Sequence, residues 1–280
     1  MLEADVVWRW RLWSIGLLTA VGLIAVSIAG ASKLVAVDDP ALTGLAAPRP
    51  HPMPTQLVQT CGAIAPETAL EIVPERAPEI APEVAPEAIL PQSYFDAVKP
   101  SAVGYLVWST FPVSIYVEPL VEGHEALRTR WDQAIAAVLQ DWGQYLPLQR
   151  VPSADAAAIR IRPAQPPIRQ NPDGTFRAQS GETRYALYAQ ETDDDPILMQ
   201  RFDIAVKPGQ ADRQLEASLR HELGHALGIW GHSSSPEDAL YYSQVSNPPA
   251  VSPGDIATLC EVYRQPTSLG WPLGPGAVLQ

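Results

Sequence analysis

Apolar and polar residues follow two different periods in the second half of the chain, and these periods predict its strands and helices. Alternation with a period of two in Val113–Val117 predicts a strand with one buried face. Apolar residues from Leu127 to Trp142 recur at the spacing of a helix that buries one face. The predicted strands cover residues 113–117, 158–162, 185–189 and 201–206, and the predicted helices cover residues 124–142 and 211–227.

A last helix is predicted after Ser252, where the start signals of a helix occur together. Ser252 is a preferred N-cap residue, and Pro253 fits the first helical position. Asp255 suits the positive end of the helix dipole. Ile256 and Leu259 then recur at helical spacing, so this segment predicts a closing helix with a buried face.

An apolar stretch near the N-terminus predicts a membrane anchor or a signal peptide over residues 1–33. Residues 12–32 contain no charge, and about 20 apolar or small residues are enough to cross a bilayer as a helix. Arg9 and Arg11 precede the stretch, which predicts that the rest of the chain lies outside the cytoplasm. Residues 29–31 have the small side chains of a cleavage site. The protein is therefore expected to be anchored and to face a periplasm, a lumen or the cell surface, or to be secreted after cleavage.

Residues 34–100 are predicted to be a disordered linker. A four-residue unit of proline and glutamate repeats there, with glutamates at every fourth position from Glu67 to Glu87. Proline removes a backbone donor and favours an extended polyproline conformation, and like charges extend the chain further. This division leaves a folded domain over residues 101–265 and a tail over residues 266–280.

Charge and composition exclude one class of partner. The formal net charge is −12, and the chain has no basic patch and no interleaving of basic and aromatic residues. These features argue against a nucleic-acid partner, and solubility is a sufficient explanation for most of the negative charge. We expect a monomer.

The run HELGHALGIWGHS carries the strongest chemical signal, because three of the five histidines of the chain fall in it. His221 and His225 are four residues apart and lie on one face of a helix, where two imidazoles reach one metal ion. Glu222 is placed to sit beside a metal-bound water molecule without being a ligand. Gly228 can end the helix in a left-handed conformation, and the returning chain can supply His232 as a third ligand. Three nitrogen ligands and an open position are typical of catalytic zinc.

This run resembles the active-site pattern of the metzincin metallopeptidases, most closely the matrixin branch, which is H-E-x-x-H-x-x-G-x-x-H. The matching positions are His221, Glu222, His225 and Gly228. The eleventh position holds Gly231, and His232 follows one residue later, which we interpret as a one-residue insertion. The predicted order of elements over residues 101–265 is also similar to that of a metzincin domain. The resemblance implies an α+β, zincin-like fold with a twisted mixed sheet, an active-site helix and a C-terminal helix.

The turn after the third histidine departs from the matrixin pattern. Matrixins have Ala-Leu-Met-Tyr there, whereas this chain has Ala239, Leu240, Tyr241 and Tyr242, and no methionine follows Met199. The methionine of the family is an apolar floor beneath the zinc, so an aromatic ring can replace it. The resemblance therefore implies that Tyr241 or Tyr242 is the floor of the site or a hydrogen-bond donor to the developing oxyanion.

The resemblance implies a zinc endopeptidase that acts on a protein or peptide outside the cytoplasm. Glu222 would take a proton from water on the zinc and pass it to the leaving amine. A peptidase with a glutamate ligand is an alternative, with Glu237 or Glu261 as the third ligand. A second alternative is a non-enzymatic envelope or adhesion domain that keeps zinc as a structural ion.

Two further features leave alternatives open. Asp193, Asp194 and Asp195 form a dense acidic run, which is either a calcium site of the matrixin kind or a solvated loop. Cys61 and Cys260 either form a disulfide in an oxidising compartment, or Cys61 blocks the zinc in the manner of a matrixin propeptide.

Overall fold

The helix Asp212–Ala226 packs against two strands of a mixed β-sheet. The structure is a computed structural model that describes residues 34–36, 45–64, 92–170, 176–177 and 179–274. The strands are β1 (Leu34–Ala36), β2 (Val113–Val117), β3 (Leu148–Arg150), β4 (Ile159–Pro163), β5 (Arg169–Gln170), β6 (Phe176–Arg177), β7 (Gly181–Gln190) and β8 (Ile197–Val206). The helices are α1 (Thr55–Ile64), α2 (Glu125–Gly143), α3 (Asp212–Ala226) and α4 (Pro253–Val262). The α+β class predicted from the sequence is confirmed.

Six strands form the main sheet in the order β1-β7-β8-β4-β2-β3, and β5 pairs with β6. Strands β3, β2, β4 and β8 are parallel, while β7 and β1 run antiparallel to their neighbours. In β2, Val113, Ile115 and Val117 are buried and the residues between them are less so, as the alternation predicted. The sheet is therefore mixed, with its antiparallel strands at one side.

The predicted helices α2 and α3 are confirmed, and they pack against each other. Trp131 and Trp142 of α2 are fully buried, and the indole Nε1 of Trp142 donates a hydrogen bond of 3.0 Å to the carbonyl oxygen of Arg220. The leucines spaced by four along α3 are also buried, as expected. They are Leu215, Leu219, Leu223 and Leu227. This packing fixes the helix that carries the histidine motif.

Residues 34–36, 45–64 and 92–100 belong to the folded body, so the prediction of a disordered linker is wrong for these three segments. Leu57 on α1 is fully buried, and a disulfide joins Cys61 to Cys260 on α4, with 5.7 Å between their Cα atoms. Leu57 and Cys61 are four residues apart and therefore lie on one helix face. This signal is short, and the prolines that precede it favour a linker. The repeat from Glu67 to Glu87 lies outside the described residues.

The segment 266–274 is also part of the folded body rather than of a tail. Thr267 exchanges two backbone hydrogen bonds with Arg49, at 3.0 and 3.1 Å. The backbone N–H of Ser268 donates to the carbonyl oxygen of Val103 at 2.8 Å, and Leu269 is buried. These pairings depend on contacts more than 160 residues apart in sequence, which no local pattern can reveal.

The predicted membrane anchor or signal peptide over residues 1–33 lies outside the described part of the chain. Among the residues that are described, no helix combines the length and the hydropathy needed to cross a membrane.

Candidate metal centre

Helix α3 presents His221 and His225 on the side opposite its leucines. The two residues lie one turn apart, and their Nε2 atoms are 3.1 Å from each other. His225 is buried, and His221 is partly exposed. The predicted pairing of these two imidazoles on one helix face is therefore present in the structure.

Gly228 ends the helix in the way that the sequence predicted. Its φ of +123° lies in the region that residues with a side chain rarely adopt. The N–H of Gly228 donates to the carbonyl of His225, and the N–H of Ile229 donates to the carbonyl of Gly224, at 3.1 and 3.2 Å. This pair of bonds is a Schellman motif. The chain reverses here and returns along the helix.

The returning chain brings His232 to the other two histidines. One ring nitrogen from each of His221, His225 and His232 lies within 4.8 Å of the others. Two nitrogens bound at 2.0–2.1 Å to one tetrahedral ion are about 3.3 Å apart, which matches the distance between the first two. The three side chains could therefore hold one metal ion.

Backbone carbonyls fix the tautomers of the two helix histidines. The Nδ1 atom of His221 lies 2.9 Å from the carbonyl oxygen of Ala239, and that of His225 lies 2.8 Å from the carbonyl oxygen of Ile229. A carbonyl only accepts hydrogen bonds, so each Nδ1 carries the hydrogen. Both Nε2 lone pairs then point into the space between the rings, where a cation relieves their repulsion.

Both helix histidines are held in the neutral form that binds metals. Burial lowers the pKa of His221 to about 4, although the hydrogen bond to Ala239 opposes the change. Burial also lowers the pKa of His225 well below its ordinary value, and the proximity of His221 and His232 adds to the effect. Both imidazoles are therefore already neutral at pH 7, so a metal ion would not have to displace protons from them.

Glu222 lies on the same helix turn and is buried, with 8% of its surface exposed. Its Oε2 atom is 2.6 Å from the hydroxyl of Thr183 at the start of β7. Burial raises the pKa of Glu222 to about 7, while the contact with Thr183 lowers it and the charge of Glu182 raises it. A carboxyl group with such a pKa can accept and release a proton near neutral pH.

Gly231, the residue before His232, lies against Ala97 and Val98, in the segment that precedes β2. A Cβ atom at this position would overlap the carbonyl oxygen of Ala97 and lie 2.8 Å from the Cα of Val98. The N–H of Lys99 donates to the carbonyl of Trp230 at 3.2 Å. Gly231 therefore allows its backbone to lie close to that of Ala97 and Val98, and this contact supports the loop that carries His232.

The residues of the turn after His232 lie in two environments, one buried and one on the cleft. Leu240 is fully buried, and a Cβ atom at Gly224 would lie 2.6 Å from its methyl group, so Leu240 packs directly beneath the histidine helix. Tyr242 is 59% exposed, and the two tyrosine rings lie 4.5 Å apart on the cleft. Leu240 is thus the buried apolar residue of the turn, and both tyrosines line the cleft.

A cleft of about 970 Å³ opens onto the three histidines and Glu222. Thr183 and Trp230 lie on one side, and Gln244 and Pro249 of the loop after the turn also line it. The Nε2 of Gln244 donates to the hydroxyl of Ser180 at 2.7 Å. The metal site is therefore accessible to a molecule much larger than water.

Several residues considered from the sequence do not join this site. Glu237 is exposed, and within the described ranges no group of three His, Cys, Asp or Glu side chains other than the histidines could hold a metal ion. Asp193, Asp194 and Asp195 are likewise exposed. The sulfur of Cys61 is bonded to Cys260, so the prediction that its thiol blocks the metal is wrong for the disulfide form.

Two functional side chains had no signal in the sequence as partners of the site. Asp238 accepts a hydrogen bond from Ser233, the residue after His232. Asp255 was predicted only as a helix-capping residue, yet it also accepts a bond of 2.8 Å from the N–H of Ala239. Both contacts form only when the turn and α4 meet in three dimensions.

No protein-family model matches this chain, and no curated protein is significantly similar to it.

Proposed function

We propose that the protein is a zinc-dependent endopeptidase of the metzincin type. The observation that carries the proposal is the convergence of three imidazole nitrogens within 4.8 Å, next to the buried carboxyl of Glu222 and facing a wide cleft. Sites with three histidine ligands and one open position are typical of catalytic zinc.

The ligand set supports zinc over calcium and magnesium. Imidazole suits zinc, whereas calcium and magnesium prefer oxygen ligands. His221 and His225 would hold the ion through Nε2, because each Nδ1 donates to a backbone carbonyl, and His232 would supply the third ring nitrogen. When bound, zinc polarises a substrate carbonyl and lowers the pKa of a water molecule to about 7.

Glu222 would act as the general base and then as the general acid. Its carboxylate takes a proton from the attacking water and delivers it to the leaving amine nitrogen. The hydroxyl of Thr183, 2.6 Å from Oε2, orients that carboxylate. Tyr241 or Tyr242 on the cleft would donate a hydrogen bond to the developing oxyanion.

The openness of the site supports catalysis over a purely structural ion. His232 is exposed to solvent, and the group of potential ligands in the described chain contains three side chains. A structural zinc is generally enclosed by four protein ligands. The size of the cleft suits an extended peptide or protein substrate.

The disulfide supports export from the cytoplasm. Disulfides persist in oxidising compartments and are rare in the cytosol. We therefore propose that the domain acts in a periplasm, a lumen or the extracellular space, and that residues 1–33 deliver or anchor it there.

Metal analysis and proteolysis of the full chain test this function. We expect about one zinc per chain, cleavage of a denatured protein such as casein, and loss of cleavage on addition of a chelator. Glu222→Gln should keep the zinc and lose at least 100-fold in kcat. The exposed Glu237→Gln is the matched control and should cleave like the wild type. Zinc-free wild type, or full activity in Glu222→Gln, would overturn the proposal.

A further inference from the structure

Two buried carboxylates lie behind the loop that carries His232. Asp238 is 8% exposed and Asp255 is inaccessible to solvent. Buried carboxylates are destabilising unless they accept several hydrogen bonds. Three of the groups that donate hydrogen bonds to them belong to Ser233, Ala239 and Leu240, in the segment that follows His232.

Asp255 holds the peptide group that orients His221. Its Oδ2 accepts the N–H of Ala239 at 2.8 Å, and its Oδ1 accepts the N–H of Leu240 at 3.3 Å. The N–H of Leu240 and the carbonyl of Ala239 lie in one rigid peptide plane. The oxygen of that plane accepts the Nδ1–H of His221 at 2.9 Å. Asp255 therefore holds the N–H edge of this peptide plane, and the carbonyl edge of the same plane sets the rotation of the His221 imidazole.

Asp238 holds the chain next to the third histidine. It accepts a hydrogen bond from the hydroxyl of Ser233, which follows His232 directly. Its other oxygen accepts the hydroxyl of Ser252 at 2.5 Å, and the N–H of Ser252 donates to Asp255 at 2.8 Å. The two carboxylates are thus joined through one residue at the start of α4.

We propose that Asp238 and Asp255 are positioning residues of the metal centre, acting through Ser233 and through the Ala239–Leu240 peptide. This inference rests on the proposed metal-dependent function. The network aligns two of the three imidazoles before a metal arrives. Partners of metal ligands in this role commonly change metal affinity by about 10- to 100-fold when they are replaced.

The hydrogen bonds at Asp255 require a carboxylate rather than an amide. The carboxylate of Asp255 accepts bonds from three N–H groups and from the hydroxyl of Tyr94 at 2.5 Å. Asparagine has one accepting oxygen, and its NH₂ group would face an N–H donor. Asp255→Asn preserves the volume of the side chain but releases one edge of the Ala239–Leu240 peptide.

The test compares zinc affinity in full-length Asp255→Asn, Asp238→Asn and a control variant, by competition with a chromophoric chelator. Thr258→Val is the control, because Thr258 is equally buried on α4. Its hydroxyl accepts the N–H of Tyr94 but makes no hydrogen bond to residues 232–240. We expect about 10- to 100-fold weaker binding in the two Asn variants and wild-type affinity in the control. The visible spectrum of the cobalt-substituted protein should change only in the Asn variants.

The outcomes separate this inference from the proposed function. Wild-type affinity and an unchanged cobalt spectrum in Asp255→Asn overturn the inference alone, as does equal weakening in Thr258→Val. Failure of the wild type to bind zinc overturns the proposed function and the inference together. If circular dichroism finds an Asn variant unfolded, Ser233→Ala and Ser252→Ala, which remove only a hydroxyl, decide the question. Unchanged affinity in both serine variants overturns it.

Discussion

The side chain of Glu222 packs directly against the backbone at Gly181. A Cβ atom at Gly181 would lie 2.6 Å from both Cγ and Oε1 of Glu222. The first residue of β7 therefore has no side chain because the carboxylate occupies that space. The adjacent hydroxyl of Thr183 bonds to the other carboxylate oxygen, so the start of one strand determines where Glu222 points.

Gly181→Ala should lower activity without removing the metal. The added methyl group displaces Glu222, which contributes the three atoms nearest to it, and Gly181 is not one of the three candidate metal ligands. We expect kcat to fall at least tenfold, since small displacements of a proton-transfer group are costly, while zinc content stays at the wild-type level. Gly209→Ala, which meets nothing within 4 Å, serves as the control. Wild-type kcat in Gly181→Ala would contradict the placement of Glu222 as the base.

Glu222→Gln should stabilise the metal-free protein at alkaline pH. Burial raises the pKa of Glu222 from 4.5 to about 7, so the folded state holds this proton more tightly than the unfolded chain does. The free energy of unfolding of the wild type therefore falls as pH rises from 4.5 to 7, and glutamine avoids this loss. The difference between a pKa of 7 and one of 4.5 corresponds to about 3 kcal/mol at pH 8.

Urea unfolding of the metal-free proteins at pH 5 and pH 8 measures this effect. The two proteins should be similar at pH 5 and should diverge at pH 8, with the variant more stable. Glu237→Gln, at an exposed position, should show no such divergence. Equal stability of wild type and Glu222→Gln at pH 8 would mean that the carboxyl is not desolvated.

Gly231→Ala should weaken metal binding through the loop of His232. The methyl group would overlap the carbonyl oxygen of Ala97, so either the segment before β2 or the loop must move. We expect zinc affinity to fall about tenfold or more, in the range found when the support of a metal ligand is disturbed. Gly143→Ala has open space around its Cβ and should bind zinc normally. Chelator competition on both variants provides the measurement.

Cys61→Ala should destabilise the fold while leaving the metal ligands in place. The disulfide joins residues 199 apart in sequence and so restricts the unfolded chain strongly. Its loss should lower the free energy of unfolding by about 2–5 kcal/mol. Thermal unfolding with and without a reducing agent should give the same midpoint for the variant and different midpoints for the wild type. Activation of the wild type by thiol reagents would instead favour a latency role for Cys61.

The elements and site residues that the sequence predicted well are those whose signal lies in residues close together along the chain. His221 and His225 follow from helical geometry, and Gly228 follows from the backbone conformation that a helix end requires. Strand β2 and helix α2 follow from periodic burial. Each of these features depends on residues fewer than 20 positions apart.

The parts that the sequence did not predict depend on distant segments meeting. Strand β3 has only three residues, too few to show a period. The packing of Leu240 depends on its contact with Gly224, and the need for glycine at position 231 depends on the nearby carbonyl of Ala97. The contact of Asp255 with the turn also depends on a distant segment. In the sequence, a helix-capping aspartate has the same signature whether or not a second segment donates hydrogen bonds to it.

The link between Cys61 and Cys260 determines how this protein behaves when it is nicked. Any peptide bond cut between these two positions leaves both pieces covalently attached to one another. A cut of this kind is invisible on a denaturing gel until a reductant is added, when two bands replace one.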